Sequence, residues 1–208
     1  AAKVGGIYAN NTKPVDFLLE NIKIQTNIVE NSWKYNVKRF LFFGSSCIYP
    51  KYSDQPIMEE SLLKSDLEET NQWYAIAKIC GIKLCQAYRK QYGFDAITLM
   101  PTNLYGPNDN YNLQNSHVMA SLIRKFYEAK VNKLDKIICW GSGNPLREFL
   151  HVDDLGEASI FVLENWDPES SKAPKDIYGN ILSYLNVGTG KDISIYELVK
   201  LIAEIVDY

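Results

Sequence analysis

Short apolar runs that read as strands alternate with longer stretches of helical periodicity along the whole of this 208-residue chain. That order is the signature of a parallel sheet covered by helices, because each parallel connection needs a crossover. The strand-like runs are Lys38 to Phe43, "FDAITLMP" halted by Pro101, "KIICWGSG" ending in a glycine turn, and "YLNVGTG". Between them the spacing predicts helices over Pro14 to Lys34, Trp73 to Gln91, about Val118 to Lys130, and within "HVDDLGEASIFVLENW", starting at Asp153 or Asp154. A last helix, "SIYELVKLIAEIV", opens with a capping box, Ser194 and Glu197. The helix from Trp73 is the clearest: Ala77, Cys80, Gly81, Leu84, Cys85 and Tyr88 form one buried stripe. Gly5-Gly6 reads as a close-approach turn after a strand, and Lys172 to Asn180 as a flexible insertion.

Composition narrows the class. An apolar fraction of 46% with 12% aromatic residues is enough for a packed core and argues against disorder. The net charge is −3 with both signs interspersed, so there is no basic stripe and a nucleic-acid partner is not expected. No apolar run nears the roughly 20 residues of a membrane span. Cys47, Cys80, Cys85 and Cys139 lack metal spacing and read as reduced thiols of a cytoplasmic protein. Both ends read as cut, with a helical pattern still running at Tyr208.

Within this frame one stretch is out of character. "FLFFGSSCIYP" lets a buried strand break into glycine, two serines and a cysteine, at the strand end where open α/β sheets take their ligands. Downstream, "YAIAK" sets Tyr74 and Lys78 four apart, one helical turn from each other on the same face. A lysine charge beside the phenol is expected to favour phenolate and lower the tyrosine pKa from its usual value near 10. One serine of the strand end could then share a substrate oxygen with Tyr74.

Every such residue has a plain structural alternative. Cys47 could be a small buried hydrophobe, and Cys80, Cys85 and Cys139 are read as core. His117 could be a loop histidine, Trp140 a core plug, and Arg147 the partner of neighbouring Glu148. His151, before a helix, is read as a cap or packing residue, and Gly141, Gly143, Gly188 and Gly190 as turn glycines.

Strand-end serine followed by helical tyrosine and lysine resembles the triad of short-chain dehydrogenase/reductases. With "GSSCIYP", "TNQWYAIAKICGIKLC", "MPTNLYGPNDN", "NSHV", "WGSGNPLREFLHVDD" and "NVGTG" in order, the chain is similar to the extended branch of that family, among its bifunctional GDP-sugar epimerase/reductases. The match runs almost continuously to about Asp154 and more loosely beyond. The resemblance implies a Rossmann-like, doubly wound parallel sheet with a smaller C-terminal substrate region. It also implies NADPH-dependent 3,5-epimerisation and 4-keto reduction of GDP-4-keto-6-deoxy-D-mannose, in a homodimer paired through the helices Pro14 to Lys34 and Trp73 to Gln91.

Carried over by position, the resemblance makes Tyr74 the proton donor to the C4 ketone oxygen, Lys78 the holder of the nicotinamide ribose, and Ser45 the carbonyl polariser. Cys47 and His117 become the base and acid pair that inverts C3 and C5, carbons whose protons the ketone acidifies. A thiolate and an imidazole titrate within reach of neutral pH, which suits that exchange. Phe43, Gly44, Ser45, Ser46, Pro101, Thr102, Asn103, Leu104 and His117, with Tyr74 and Lys78, are expected to line the cofactor. Lys125, Trp140 and Arg147 are expected to hold the nucleotide half of the substrate, Lys125 standing where arginine is expected. The same resemblance divides the chain at 1–105, the second half of a NADP-binding domain; 106–150, a substrate segment; 151–190, a returning helix and strand; and 191–208, the start of a C-terminal substrate region. The glycine-rich dinucleotide fingerprint is absent and is expected upstream of Ala1. Two readings stay open beside the enzyme: another nucleotide-sugar epimerase or dehydratase of this fold, and a non-catalytic remnant.

Overall fold

A computed structural model describes residues 2–113 and 115–208. Three parallel strands form the central sheet in the order β1 (Phe40–Phe43), β2 (Ala96–Pro101), β5 (Tyr184–Val187). All six residues of β2 are buried, because its two faces belong to different cores. Ala96 and Met100 pack with Val29, Phe42, Ile82 and Cys85 beneath α2 (Asn21–Lys34) and α3 (Gln72–Tyr92). Ile97 and Leu99 face the opposite way, onto Val162 and Trp166 of the segment containing α5 (Val152–Asn165). Helices on both faces make the sheet doubly wound, as expected.

The second layer is smaller. Here β3 (Asn103–Tyr105) pairs in parallel with β4 (Leu146–His151), and β4 pairs antiparallel with β6 (Asp192–Ser194). Its core joins Leu122 and Phe126 of α4 (Val118–Val131) to Leu198 and Ile202 of α6 (Ile195–Val206). The capping box that opens α6 is formed in full: Ser194 Oγ accepts from Glu197 N at 3.1 Å, and Glu197 Oε2 accepts from Ser194 N at 3.0 Å.

Several local expectations are corrected. Pro14 to Lys34 is helical but carries a π-helical turn over Asp16–Glu20, and a six-residue helix α1 (Ile7–Thr12) precedes it. The segment before Gly5-Gly6 is not a strand among the described residues, although both glycines are close-approach positions. "KIICW" is not a strand either. Ile137 and Cys139 turn inward onto the α4–α6 core while Ile138 and Trp140 are three-quarters exposed, so the strand-like alternation is real but no ladder partner lies alongside. Pairing occurs instead at β3 and β4. Helix α5 is capped by His151, whose Nδ1 accepts from Asp153 N at 3.3 Å, rather than by an aspartate. The insertion Lys172 to Asn180 closes as a turn on Asp176, which accepts from the backbone N–H groups of Tyr178 and Asn180.

Two joints position the site. Where α2 crosses α3, Gln25 Nε2 donates to the Ala77 carbonyl at 2.6 Å, and Gly81 lets both Gln25 and Phe42 approach the helix. The long loop after β1 is tied to β5 through Asn186. Its Oδ1 accepts from Tyr49 Oη at 2.5 Å, its N–H donates to Glu59 Oε1 at 2.8 Å, and its Nδ2 donates to the Ile57 carbonyl at 3.0 Å.

Candidate active site

Four of the expected residues meet where the C-terminal end of β1 faces the first turns of α3. Strand β1 ends at Phe43; a buried Gly44 and the extended Ser45 follow, and Ser46–Ile48 makes one 3₁₀ turn against α3. Tyr74 and Lys78 lie one turn apart on α3. The Lys78 ammonium is buried at 6% exposure, donates to the Phe43 carbonyl at 2.8 Å, and stands 5.0 Å and 5.7 Å from the ring centroids of Phe42 and Tyr74. An ammonium carries three donors, and only this one acceptor serves it among the described residues. Two donors therefore remain for a ligand, a costly arrangement in a buried position unless a partner arrives. Ser45 lies close enough to favour the ionised forms of both the Tyr74 phenol and the Cys47 thiol, and Asn71 acts on that thiol in the same sense.

The electrostatics correct one expectation. Burial pushes the Tyr74 phenol well above its ordinary pKa, a Cys47 thiolate would push it further, and only the neighbouring Ser45 pulls it down. Lys78 does not lower it, because the ammonium's hydrogen bond goes to the Phe43 carbonyl and its charge lies over the ring. The ammonium is itself pushed down by burial, and its charge acts on Cys47 instead. Cys47 also departs from expectation: burial of the thiol raises its pKa, against the lowering influence of Ser45, Asn71 and Lys78. Tyr74 and Cys47 are thus both protonated at neutral pH in the unliganded chain.

The other expected residues fall into separate places. His117 is exposed at the N-cap of α4, with no side-chain hydrogen bond or ion pair among the described residues. The preceding loop packs on Gly6, whose N–H donates to the Asn115 carbonyl at 3.1 Å. Pro101 is buried at the end of β2, and Leu104 is half-buried in β3. Thr102 Oγ1 and Asn103 Nδ2 both donate to the Glu148 carbonyl at 2.9 Å, so they join the two sheets. Lys125 and Trp140 do come together, the ammonium 4.7 Å from the indole centroid. At 75% exposure Trp140 plugs no core. Arg147 is exposed and donates to the adjacent Leu146 carbonyl at 2.7 Å; it forms no pair with Glu148, whose carboxylate instead accepts from Gly190 N at 2.6 Å. No hydrogen bond or ring contact among the described residues links the Tyr74 group to the Trp140 group.

Residues 1–177 match the model of the NAD dependent epimerase/dehydratase family, and the chain belongs to that family. It is 53% identical over 208 residues to GDP-L-fucose synthase 1 of Arabidopsis thaliana, covering all of this chain and 60% of that protein. To GDP-L-fucose synthase of Escherichia coli (strain K12) it is 50% identical over 216 residues, covering all of this chain and 64% of the relative. Among solved structures, MlghC, a GDP-mannoheptose C4 reductase from Campylobacter jejuni with NADP bound, superposes with a TM-score of 0.83 at 33% identity, over all of this chain and 68% of that one. The chain thus spans about 60% of the length of the curated relatives it matches first.

Proposed function

We propose that this chain carries the catalytic centre of an NADPH-dependent epimerase/reductase that converts GDP-4-keto-6-deoxy-D-mannose to GDP-L-fucose. The observation that carries the reading is the convergence of Ser45, Cys47, Tyr74 and the under-satisfied, buried ammonium of Lys78 at one strand end. Identity of 50% or more to proteins named GDP-L-fucose synthase favours it over another nucleotide-sugar epimerase or a non-catalytic remnant.

The residues fit a nicotinamide dinucleotide: the two spare donors of Lys78 suit a ribose diol, and the backbone of Phe43 to Ser46 borders the same space. Tyr74, Lys78 and segments 43–46 and 101–104 would hold its nicotinamide end, with His117 bordering it. When bound, NADPH supplies the hydride that reduces C4. Tyr74 delivers a proton to the C4 oxygen, a role suited to a phenol that burial keeps protonated. Ser45, beside that phenol, donates to the same oxygen and polarises the ketone. The polarised ketone acidifies C3–H and C5–H. Cys47 exchanges a proton on one face of the sugar and His117 on the other; Lys78, Ser45 and Asn71 lower the cost of the Cys47 thiolate. Lys125, Trp140 and Arg147 bind the nucleotide half, the indole offering a flat exposed face. A cytoplasmic homodimer belongs to the same proposal, supported by Leu19, Ile28 and Ile76, apolar side chains left exposed along the paired helices.

The test is solvent-deuterium exchange into the 4-keto sugar nucleotide without NADPH, followed by NMR. Wild type incorporates label at two ring carbons, and Cys47→Ser and His117→Gln each lose exchange. Tyr74→Phe keeps exchange and loses reduction by about 10²-fold or more, the usual contribution of a positioned acid. Unlabelled sugar from wild type, or a Tyr74→Phe variant that reduces normally, refutes the proposal.

A further inference from the structure

A side chain with no bond of its own is placed by its backbone alone. His117 is such a side chain among the described residues, while the main chain on either side of it is held. Its carbonyl accepts from Ser121 N at 3.0 Å, the first bond of α4. On the other side, Ser116 N donates to the Asn112 carbonyl at 2.9 Å, and the Asn115 carbonyl accepts from Gly6 N at 3.1 Å. A Cβ built at Gly6 would lie 2.7 Å from the Ser116 carbonyl oxygen, where ordinary contact begins at 3.4 Å. That oxygen is backbone, so it yields only if the loop moves. Gly6 has φ −68° and ψ 178°, a conformation open to any residue, so glycine is required here by space and not by backbone geometry. Gly5 differs: its Cβ would meet Ala9 Cβ and Phe17 Cζ, each at 3.1 Å, and no atom of the loop. Asn10, 4% exposed, holds the turn, its Nδ2 donating to the Gly5 carbonyl at 2.7 Å and the Gly6 carbonyl at 3.2 Å. The contact between Gly6 and the loop belongs to none of the three hydrophobic clusters. What it fixes is the residue just before an untethered imidazole.

We propose that Gly6 is a positioning residue for the epimerisation chemistry: its bare Cα lets the Ser116 main chain seat against the turn, and that seat sets where the His117 ring stands. This deepens the function proposed above and rests on His117 being one of its proton carriers. Gly6 itself neither touches the substrate nor moves a proton. A methyl group at Gly6 displaces the loop by more than half an ångström, and His117 has no side-chain bond to hold it in place. Misplacement on that scale slows a proton transfer by about tenfold or more.

Two rates separate this role from a merely structural one, both measured on full-length Gly6→Ala, Gly5→Ala and Asn10→Ala. The first is solvent-deuterium exchange into the 4-keto sugar nucleotide without NADPH. The second is oxidation of GDP-L-fucose at C4 by saturating NADP, which takes no proton from C3 or C5 and so does not use His117 as a carrier. Gly6→Ala is expected to exchange about 10- to 100-fold more slowly while oxidising within about twofold of wild type. Gly5→Ala adds a Cβ to the same turn without reaching the loop, and is expected to keep both rates. Asn10→Ala loosens the turn without crowding it, and is expected to slow exchange by a smaller factor and leave oxidation alone. Wild-type exchange in a folded Gly6→Ala chain overturns the proposal, as does oxidation that falls in step with exchange. Gly5→Ala slowing exchange as much as Gly6→Ala does overturns it too. Should Gly6→Ala not fold, wild-type exchange in Asn10→Ala is the refuting result. A wild-type protein that fails to exchange, or a His117→Gln chain that exchanges normally, sinks the functional reading itself, whatever the glycine variants do.

Discussion

Replacing Gly81 with alanine tests the joint on which the active-site helix sits. A Cβ built at Gly81 lies 2.8 Å from Gln25 Oε1 and from Phe42 Cε1, and closer still to Phe42 Cζ, whereas ordinary contact begins at 3.4 Å. Something must move by more than half an ångström, and neither neighbour is free to do so. Gln25 is 4% exposed and holds the Ala77 carbonyl, and Phe42 is 8% exposed in the core beneath α3. Overpacking of this kind costs about 1–3 kcal/mol. Against it stands about 1 kcal/mol from the better helix propensity of alanine. With the Gln25 hydrogen bond strained as well, worth about 1 kcal/mol, the net is a loss of about 1–3 kcal/mol. For a chain of this size that lowers the thermal midpoint by roughly 2–12 °C. Gly156, exposed in α5 with nothing within 4 Å of its Cβ position, is the internal control. Gly156→Ala is expected to stabilise by about 0.5–1 kcal/mol. Both variants are measured by urea unfolding followed by circular dichroism. Because the Phe42 ring also lies under the Lys78 ammonium, the proposed function carries a further expectation, that Gly81→Ala lowers NADPH-dependent reduction. A Gly81→Ala chain as stable as its parent, beside a stabilised Gly156→Ala, would falsify the packing account.

Two further outcomes concern stability. Burial raises the Cys85 thiol from 9.0 to about 12 and also raises the phenols of Tyr49 and Tyr184. Each group binds its proton more tightly folded than unfolded. Stability is therefore level below about pH 8.5 and falls as pH climbs from about 9 towards 12, with a shallower fall in Cys85→Ala; urea midpoints across that range read it out. Ser194→Ala removes one arm of the α6 capping box and is expected to cost about 1 kcal/mol, seen as a midpoint lower by roughly 2–4 °C, with Ser194→Asp retaining most of it.

What the residues announced and what they withheld follow a physical line. Helix α3 and strand β2 were legible because their own side chains carry the pattern: a stripe at helical spacing in one, an apolar run buried on both faces in the other. Strands β3 and β4 were not, since three half-buried residues and "LREFLH", exposed only at its first two positions, show no clean alternation. Residues 136–140 erred the other way: alternation records which side chains are buried, while a strand needs a neighbouring backbone. At the site, the four-residue spacing brought Tyr74 and Lys78 together correctly. It could not report that the ammonium is spoken for by the Phe43 carbonyl, nor how deeply the phenol is buried, so the electrostatic direction came out reversed.

The fastening at Asn186 divides the stretch after β1 into parts with different freedom to diverge. From Ser45 to Tyr49 the chain is moored at both ends, so its length is set by the span between strand and mooring. Residues 52–55, between the ties at Tyr49 and Ile57, form an open bight where added or deleted residues leave the thiol and serine where they are. Variation in this lineage can therefore accumulate in that bight, a few residues from the chemistry, without disturbing it.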